Sequence, residues 1–396
     1  MATINNQFLE WPFFDNAHRD FAARFEAWVA AHHDALERSN LNEADAVKAQ
    51  ARLLGADGWL KVLLPQAHGG PREKVDARTL CLARDILARV SGLADCTVAM
   101  QGLGSVPVTL FGTDEQKRTH LLGLAGGTRI GAFCLSEAEA GSDVAALQTS
   151  ARREGESYIL NGRKTWISNA GVADSYIVFA RTGEAPGAKG LSAFIVDASA
   201  PGLSTPRAID VIAPHVIGDV EFENCRIPVT NLLGSPGDGF KVAMATLDVM
   251  RSTVGAAALG FARRALAEAR EHVRARKLFG QTLAQLQATQ MRIADMALEV
   301  DTAALLVYRA AWVKDTLRDR VGVGGDHRAQ RRPLAVHFRG EPRPHRDGNG
   351  GANNRHRPVE PNLLGSNMHR PAHASGDTRV AAKHLGEQPL KAAAHG

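Results

Sequence analysis

Two long stretches in the second half of the chain carry apolar residues at the spacing of an α-helix, and they restrict the possible folds more than any other feature. In the first stretch, successive apolar residues lie three or four positions apart: Leu247, Met250, Val254, Ala258 and Phe261. The second stretch has the same spacing: Ile293, Met296, Val300, Ala303, Val307 and Ala310. Each stripe occupies one helix face and has to be covered by other elements. The two stripes therefore predict antiparallel members of a helical bundle whose apolar faces pack in a core.

This helical spacing stops at about residue 321, and the composition changes at the same place. Residues 322–396 contain eight of the 15 histidines and seven of the 17 prolines, but only ten of these residues are Leu, Ile, Val or Phe. A segment this poor in large apolar side chains buries too little surface to offset the entropy of ordering it. We therefore predict that residues 321–396 form an aberrant, disordered tail, and that the bundle is incomplete.

The formal net charge of +5 originates in this tail, because residues 322–396 hold ten Arg and two Lys against six acidic residues. The rest of the chain is nearly neutral, so its charge indicates neither a nucleic-acid partner nor a membrane surface. A basic nucleic-acid-binding tail on an enzyme body is the weakest alternative. The tail has a single aromatic residue, Phe338, on which a base could stack.

The cysteines and the N-terminal residues predict a compartment. None of the four cysteines belongs to a CxxC pair: Cys81, Cys96, Cys134 and Cys225. A chain of this length needs no disulfides for stability, so reduced thiols are expected. The first residues lack the basic and apolar segments of a secretory signal, and no run approaches the ~18 apolar residues that span a membrane. We predict a cytoplasmic protein without a membrane span.

The amino-acid composition changes once in the part of the chain before the two stripes. Residues 15–127 are rich in Ala, Leu, Arg and Glu, whereas residues 130–228 contain short β-branched and aromatic runs. Asn161 and Gly162 lie between two such runs, at residues 158–160 and 163–167, and this pair is typical of a type I′ hairpin turn. The chain is therefore predicted to have an α+β fold. Its parts are an N-terminal helical domain (1–128), a middle β domain (129–238), two bundle helices (239–320) and the tail (321–396).

Two segments of the middle region carry groups suited to a planar or phosphorylated ligand. In residues 133–143, a strand-like run passes into Ala140, Gly141 and Ser142, where the backbone can approach a ligand closely. A simple β-turn is the alternative interpretation of this loop. In the second segment, Trp166 is followed by polar Ser168 and Asn169, which places hydrogen-bonding groups beside a large flat ring. The alternative there is a tryptophan in the core of the domain.

Together the two segments resemble the acyl-CoA dehydrogenase family. Residues 133–143 match its pattern of an aromatic residue and Cys followed by Ser-Glu and Gly-Ser-Asp, and residues 161–169 match Asn-Gly-x-Lys-x-Trp-Ile-Ser-Asn. Further matches lie in the helical part: Leu247-Asp248 with Arg251, and Arg276 with Phe279-Gly280 and Gln287. The resemblance covers residues 15–320. It implies an N-terminal helical domain, a middle β-barrel domain and a C-terminal helical bundle, which is incomplete here.

The resemblance implies FAD as the cofactor and an acyl-CoA as the substrate. The residues that it places at FAD are Phe133, Leu135, Ser136, Ser142, Trp166, Ile167, Ser168, Arg276, Phe279 and Gln287. Trp166 would back the isoalloxazine ring, with the Ser168 hydroxyl near its N5 atom. Ser142 would contact the pyrophosphate and the edge of the acyl-CoA site, and Asp248 and Arg251 would border the CoA and acyl groove.

The resemblance also implies an assembly. Arg276, Phe279 and Gln287 would reach the FAD of a neighbouring subunit in a homodimer or homotetramer. For all these positions the alternatives are ordinary ones, namely solvated helix charges, a core aromatic residue and a surface amide. The residues that would line an acyl-chain pocket are Gln101, Leu103, Val106 and Met250, but they do not define the chain length.

A catalytic base is missing from this sequence. In most members of the family a glutamate takes the α-proton of the thioester, between a Tyr and a Gly in the C-terminal bundle, and residues 322–396 contain no Tyr. In other branches the base lies beside the Arg of the first long helix, where this chain has Met250. The acidic residues of the tail, Glu341, Glu360 and Glu387, match neither position. We assign no catalytic residue, and we interpret the break as a reading-frame change near residue 322.

Three functions agree with this sequence. The first is α,β-desaturation of an acyl-CoA, with FAD reoxidised by an electron-transfer flavoprotein. The second is a flavin oxidase or monooxygenase of the same fold, since such relatives can lack the glutamate. The third is a damaged homologue without catalytic activity, which would bind a CoA ester or a partner subunit without turnover.

Overall fold

The computed structural model describes residues 6–37 and 41–316. The predictions for the tail and for its acidic residues, Glu341, Glu360 and Glu387, lie outside the described residues. Within them, the order of elements is helical, then mostly β, then helical again. This is the α+β order that the change of composition along the sequence predicts.

The described residues of the N-terminal part form six α-helices: α1 Asn16–Ala31, α2 His33–Glu37, α3 Glu43–Ala56, α4 Ala77–Ala88, α5 Gly92–Phe111 and α6 Asp114–Ala125. Five of them begin after a polar residue whose side chain accepts a hydrogen bond from the N–H three residues on: Asp15, Asn42, Asp76, Ser91 and Thr113. These side chains satisfy an N–H group that would otherwise have no partner inside the helix. Helix α4 is buried along almost its whole length and forms the centre of the helical core.

The middle part contains eight strands: β1 Gly131–Cys134, β2 Ser150–Glu154, β3 Ser157–Ser168, β4 Ser175–Arg181, β5 Leu191–Asp197, β6 Leu203–Ser204, β7 Ile217–Pro228 and β8 Leu232–Leu233. They form one mixed sheet in the order β6-β7-β3-β2-β4-β5-β8, and β1 pairs with β4 in parallel. The long antiparallel pair of β3 and β7 contains two irregularities, between Leu160 and Gly162 and between Lys164 and Ile167. The second of these irregularities shapes the candidate site.

The predicted hairpin turn at Asn161 and Gly162 is wrong. Both residues lie inside the continuous strand β3, and the turn between β2 and β3 is formed by Gly155 and Glu156. Gly162 has a φ of 144°, and a Cβ atom there would lie 2.7 Å from the Cα atom of Thr149. The glycine is therefore required by a bulge and by close backbone packing. The same residue pair is typical of a type I′ turn, which is why the sequence was misinterpreted.

Helix α5 is joined to β1 by a buried amide. The Gln101 side chain donates hydrogen bonds to the carbonyl oxygens of Leu124 and Arg129, both at 2.8 Å, and accepts one from the Gly131 N–H at 2.9 Å. Gln101 is 1% exposed, so its amide is used in joining α5, α6 and β1. This contact gives Gln101 a structural role, and its place in the acyl-chain pocket stays a prediction.

The last two helices are α7 Gly239–Ala275 and α8 Gln287–Thr316, and a small hairpin of β9 Lys277–Leu278 and β10 Gln281–Thr282 joins them. Among the described residues, α7 is the one helix long and apolar enough to cross a membrane by length and composition. It packs against α4, α5 and α8. Its role in this structure is therefore that of a bundle helix, and the absence of a membrane span stays a prediction.

The predicted stripe of α8 is confirmed at Val300, Ala303 and Val307, which are buried, but the predicted stripe of α7 is only partly correct. Met250 is buried, whereas Val254 is 61% exposed. The rest of the buried face of α7 is made largely of small and polar residues: Val242, Ala243, Thr246, Thr253, Ala256, Ala257, Leu259, Gly260, Arg263 and Ala267. Small residues are needed because α7 lies very close to α4, so hydrophobicity alone misplaces its inner face.

A buried carboxylate connects α4, α7 and α8. Asp85 is 0% exposed; its carboxylate accepts a hydrogen bond from Arg89 at 3.0 Å and one from the Tyr308 hydroxyl at 2.7 Å, and it lies 3.2 Å from Arg263. Burial alone would raise the pKa of Asp85, but the charges of Arg89 and Arg263 and these hydrogen bonds outweigh burial and lower it. Tyr308 thereby fixes α8 to the centre of the helical core.

We expect Tyr308→Phe to lower the free energy of unfolding by about 2 kcal/mol, because it removes a hydrogen bond to a buried charged group. Urea unfolding followed by circular dichroism measures the change. Tyr158→Phe is the matched control, since its ring is also buried, 4.9 Å from Phe194, and has no carboxylate partner among the described residues. Equal effects of the two substitutions would contradict this role of Tyr308.

Candidate functional site

The loop after β1 is a short, tightly closed turn with an open far side. Glu137 and Ala140 bond to each other through both of their backbone N–H groups, at 3.1 and 3.2 Å. The residues that follow, Gly141 and Ser142, are exposed, and a Cβ atom on Gly141 would meet nothing within 4 Å. This loop therefore presents unhindered backbone and one hydroxyl at Gly141 and Ser142. The expectation was wrong for Ala140, which is buried and uses its backbone in the turn.

A buried lysine attaches this loop to β3. Lys164 is 0% exposed, and its ammonium donates to the Leu135 carbonyl at 3.2 Å and to the Glu137 carboxylate at 2.8 Å. The same carboxylate accepts the N–H groups of Gln148 and Thr149, at 2.6 and 2.9 Å. Three segments of backbone thus converge on one ion pair.

The two charges of this ion pair affect each other's pKa. Burial lowers the pKa of Lys164, and the Glu137 carboxylate offsets only part of that effect. For Glu137, burial alone would raise the pKa, but the charge of Lys164 and the hydrogen bonds from Gln148, Lys164 and Thr149 outweigh it and lower the pKa. A charge removed from water in this way is stable only while its partner stays in place.

Trp166 projects from the second irregularity of β3. Its φ is 58°, a left-handed conformation in which a bulky side chain is strained. The indole is 49% exposed, although it lies between buried Thr165 and buried Ile167. Thr165 holds the irregularity in place, since its N–H donates to the Ser136 carbonyl at 3.1 Å and its hydroxyl donates to Asp219 at 2.6 Å. The bulge therefore turns a large flat ring outward from a strand whose neighbouring side chains face the core.

Asp219 anchors this bulge from β7. Its carboxylate also accepts hydrogen bonds from Arg163 and Arg207, at 2.6 and 2.8 Å. Burial alone would raise the pKa of Asp219, but the hydrogen bonds from Arg207, Thr165 and Arg163 outweigh it and lower the pKa to about 2. The carboxylate therefore stays ionised, and keeps its partners, at any pH near neutrality.

The side chains of the remaining predicted residues of the β domain differ in how far they are buried. Phe133 is half-buried, with its ring 4.9 Å from that of Phe179. The side chains of Leu135 and Ile167 pack in the core, so a ligand could meet these two residues only through their backbone. Ser168, the last residue of β3, is half-buried, and its hydroxyl lies 2.8 Å from Nε2 of His215.

The predicted substrate-binding residues of α7, and Met250 between them, have different surroundings. Asp248 is paired with Lys314 of α8, which holds this carboxylate between the two helices. Arg251 is exposed. Met250 is buried, and a Cβ atom on Gly102 of α5 would lie 2.7 Å from its Cε atom. Met250 has no group that accepts a proton, so the position beside Arg251 does not supply a base.

The other predicted FAD residues lie on the connection between α7 and α8. Arg276 and Gln287 are exposed, and Phe279 is 88% exposed at the tip of the β9–β10 hairpin. Phe279 and Gly280 have φ values of 54° and 79°, the pattern of a type I′ turn. The structure thus brings the predicted residues of the loop after β1 and of β3 together. It places Phe279 at the tip of a separate, solvent-facing hairpin, with Arg276 just before this hairpin and Gln287 at the start of α8.

Some residues with a part in this site were missed by the sequence analysis. Lys164 and Glu137 belong to the two motifs, but no role was assigned to either residue. A lysine inside a strand-like run was the available signal. His215 lies 47 residues from Ser168 and outside every motif, so nothing in the sequence connects it with the site.

These residues fit a flavin. An exposed indole supplies a flat apolar surface, and half-buried Ser136 and Ser168 and exposed Ser142 lie on the two segments that meet beside it. A large planar group with a polar edge and a phosphate arm needs this combination of an aromatic surface, hydroxyls and open backbone. The site is therefore that of a protein that binds a planar, phosphorylated cofactor.

Comparisons with known proteins give the family. The models of the N-terminal, middle and C-terminal domains of acyl-CoA dehydrogenase match residues 14–128, 132–225 and 237–325. The chain is 40% identical over 260 residues to a probable acyl-CoA dehydrogenase, FadE25, of Mycobacterium tuberculosis, covering 65% of this chain and 66% of that protein. It is 39% identical over 302 residues to the human mitochondrial short-chain specific acyl-CoA dehydrogenase, covering 75% and 71%.

A solved structure agrees with these matches. Butyryl-CoA dehydrogenase from Megasphaera elsdenii superposes with a TM-score of 0.68 at 33% identity, covering 76% of this chain and 80% of that one. The chain therefore belongs to the acyl-CoA dehydrogenase family, whose members are oxidoreductases with FAD as the cofactor. The match to the C-terminal domain ends at residue 325, close to where the helical spacing of the sequence stops.

We expect Lys164→Met to raise the dissociation constant for FAD by roughly tenfold or more, because it removes a hydrogen-bonded charge that fixes the loop after β1. Fluorescence titration with FAD measures the constant. Lys189→Met is the matched control, since that lysine is exposed in the same domain. Unchanged FAD affinity in a folded Lys164→Met protein would show that the loop does not depend on this ammonium.

Proposed function

We propose that the protein binds FAD and catalyses α,β-desaturation of an acyl-CoA thioester, with the electrons passing to an electron-transfer flavoprotein. The observation that carries this proposal is the outward-turned Trp166 on a strand that Lys164 bonds to the open loop of Ser142, at two motifs of the family. Family membership supports the proposal as well. We also propose a cytoplasmic location, in agreement with four cysteines that form no disulfide in the described part of the chain.

The residues of the candidate site have separate roles in this proposal. The Trp166 indole would back the isoalloxazine ring and exclude water from one side of it. Hydroxyls of Ser136 and Ser168 would bond polar atoms of the ring, and exposed Ser142 would hold the pyrophosphate. Lys164 would keep the loop after β1 in position. The bound flavin would supply the hydride acceptor of the reaction.

The proton acceptor is the part that the described residues do not supply. Met250 occupies one of the two family positions, and the other lies beyond residue 316. Removal of the α-proton needs a positioned base and a polarised carbonyl. If a base is provided, the protein is a complete dehydrogenase. Without a base, it is a flavoprotein that binds an acyl-CoA but does not oxidise it.

The visible spectrum under anaerobic conditions tests this directly. We expect the purified protein to show a flavin band, and we expect butyryl-CoA to bleach it if a base is present. Trp166→Ala should lower FAD affinity by about tenfold or more, since it removes most of a large aromatic contact. A band that persists with butyryl-CoA would mean binding without proton abstraction. Protein without any flavin, even after incubation with FAD, would refute the proposal.

The missing glutamate favours a second candidate, a flavin oxidase or monooxygenase of the same fold. Rapid reaction of the reduced flavin with oxygen, in the stopped-flow spectrophotometer, would distinguish this candidate from a dehydrogenase. Slow reaction with oxygen, together with transfer of electrons to an electron-transfer flavoprotein, would support the first proposal. A damaged homologue without activity would show neither reaction.

The exposed hairpin supports a homodimer in which Phe279 reaches the FAD of the partner subunit. We expect Phe279→Ala to weaken self-association by about tenfold or more, since burial of a phenylalanine contributes about 2 kcal/mol. Sedimentation velocity over a range of concentrations measures this. Leu122→Ala is the control, because Leu122 is also exposed but lies on α6. A monomeric wild-type protein, or equal association of the two variants, would contradict this role of Phe279.

A further inference from the structure

Three side chains from three separate elements form one hydrogen-bonded row at the end of β3. The Ser168 hydroxyl lies 2.8 Å from Nε2 of His215, and the Cys96 sulfur lies 3.2 Å from Nδ1 of the same imidazole. Cys96 belongs to α5, and His215 belongs to the segment between β6 and β7. All three residues are half-buried. Both ring nitrogens of His215 are therefore engaged, and one end of the row is the serine beside the outward-turned Trp166.

The backbone on both sides of this row is fixed. Asn169, next to Ser168, has a φ of 64°, and its N–H donates to the Val216 carbonyl, next to His215, at 2.8 Å. The Asn169 side chain donates to the Gly131 carbonyl of β1 at 3.0 Å. Ser168 is also paired in register with Ile217 of β7. The backbone next to both side chains is thus held by the sheet.

The chemistry of the row allows two arrangements. A neutral imidazole has one N–H donor and one acceptor nitrogen, whereas a hydroxyl and a thiol can each donate or accept. In one arrangement Ser168 donates to Nε2, and Nδ1 donates to Cys96. In the other, Cys96 donates to Nδ1, and Nε2 donates to Ser168, whose own hydrogen is then free to point away from the imidazole. The tautomer of His215 therefore decides where the Ser168 hydrogen points.

We propose that His215 is a positioning residue that sets the direction of the Ser168 hydroxyl toward the flavin, with Cys96 as the partner of its other ring nitrogen. This inference rests on the proposed FAD site, because the resemblance to the family is what places Ser168 beside the ring. A protonated imidazole donates from both nitrogens, which forces the Ser168 hydrogen outward. A neutral one permits either direction, so the hydrogen bond available to the ring changes when the histidine titrates.

The surroundings of the row set the pH at which this happens. Burial lowers the pKa of His215 below its usual value of 6.5. Burial, together with the charge of Asp95, raises the pKa of the Cys96 thiol to about 12, so the sulfur stays protonated near neutrality. Asp95 is itself paired with Arg84 at 2.7 Å. His215 is therefore neutral at pH 7 and becomes charged on the acid side of 6.5.

The experiment follows the absorption band of oxidised FAD bound to the full-length protein as the pH is varied, without any acyl-CoA. We expect a spectral step below pH 6.5 in the wild type. The step should be lost in His215→Gln, which keeps a donor and an acceptor but does not ionise, and in Ser168→Ala, which removes the hydroxyl. His120→Gln is the matched control, because His120 is another half-buried histidine whose pKa is lowered by burial. This control should keep the step.

Affinity provides a second readout that separates positioning from packing. His215→Gln should bind FAD nearly as well as the wild type at pH 7, whereas His215→Leu should bind it roughly three- to tenfold more weakly, since one hydrogen bond is lost. A spectrum independent of pH, or a step that persists in His215→Gln, would overturn the inference. Because no acyl-CoA is present, the step would be observed even in a protein that fails to oxidise butyryl-CoA, so failure of the two proposals can be distinguished.

Discussion

The ammonium of Lys164 holds together the two segments that form the candidate site. It lies inside the β domain, where an unpaired charge would be strongly destabilising, and it bonds to the loop after β1 at Leu135 and Glu137. Because Glu137 also accepts the N–H groups of Gln148 and Thr149, the ion pair determines both ends of the loop that carries Ser142. The flat surface of Trp166, two residues after Lys164, is thereby placed at a fixed distance from that loop.

Much of the fold could be predicted from the sequence, because its signals are local. Helical spacing over long stretches predicted α7 and α8, and a change to β-branched residues located the β domain. Local patterns fail where tertiary contacts decide. Asn161 and Gly162 have the composition of a turn, but close packing against Thr149 requires the glycine inside a strand. Likewise, Val254 belongs to an apolar stripe, yet α7 turns smaller residues toward α4.

The candidate site was predictable where motifs carry it and not elsewhere. Trp166 and Ser142 were assigned from the resemblance, and the structure places both at an open surface. His215 could not have been found in the same way. His215 and Ser168 are far apart in the sequence, and the pairing of β3 with β7 brings them together. An isolated histidine in a loop does not by itself indicate a site.

The two aromatic residues with left-handed backbone, Trp166 and Phe279, share a physical property that bears on function. A strained conformation persists only where the surrounding structure enforces it, and each of these residues uses the strain to expose a large apolar ring. Exposed aromatic rings cost free energy in an isolated chain, which is recovered when they are covered. For Trp166, the proposed cover is the flavin ring; for Phe279, it is the partner subunit. The strained backbone at the bulge of β3 and at the β9–β10 turn thus presents both rings before either ligand or partner arrives.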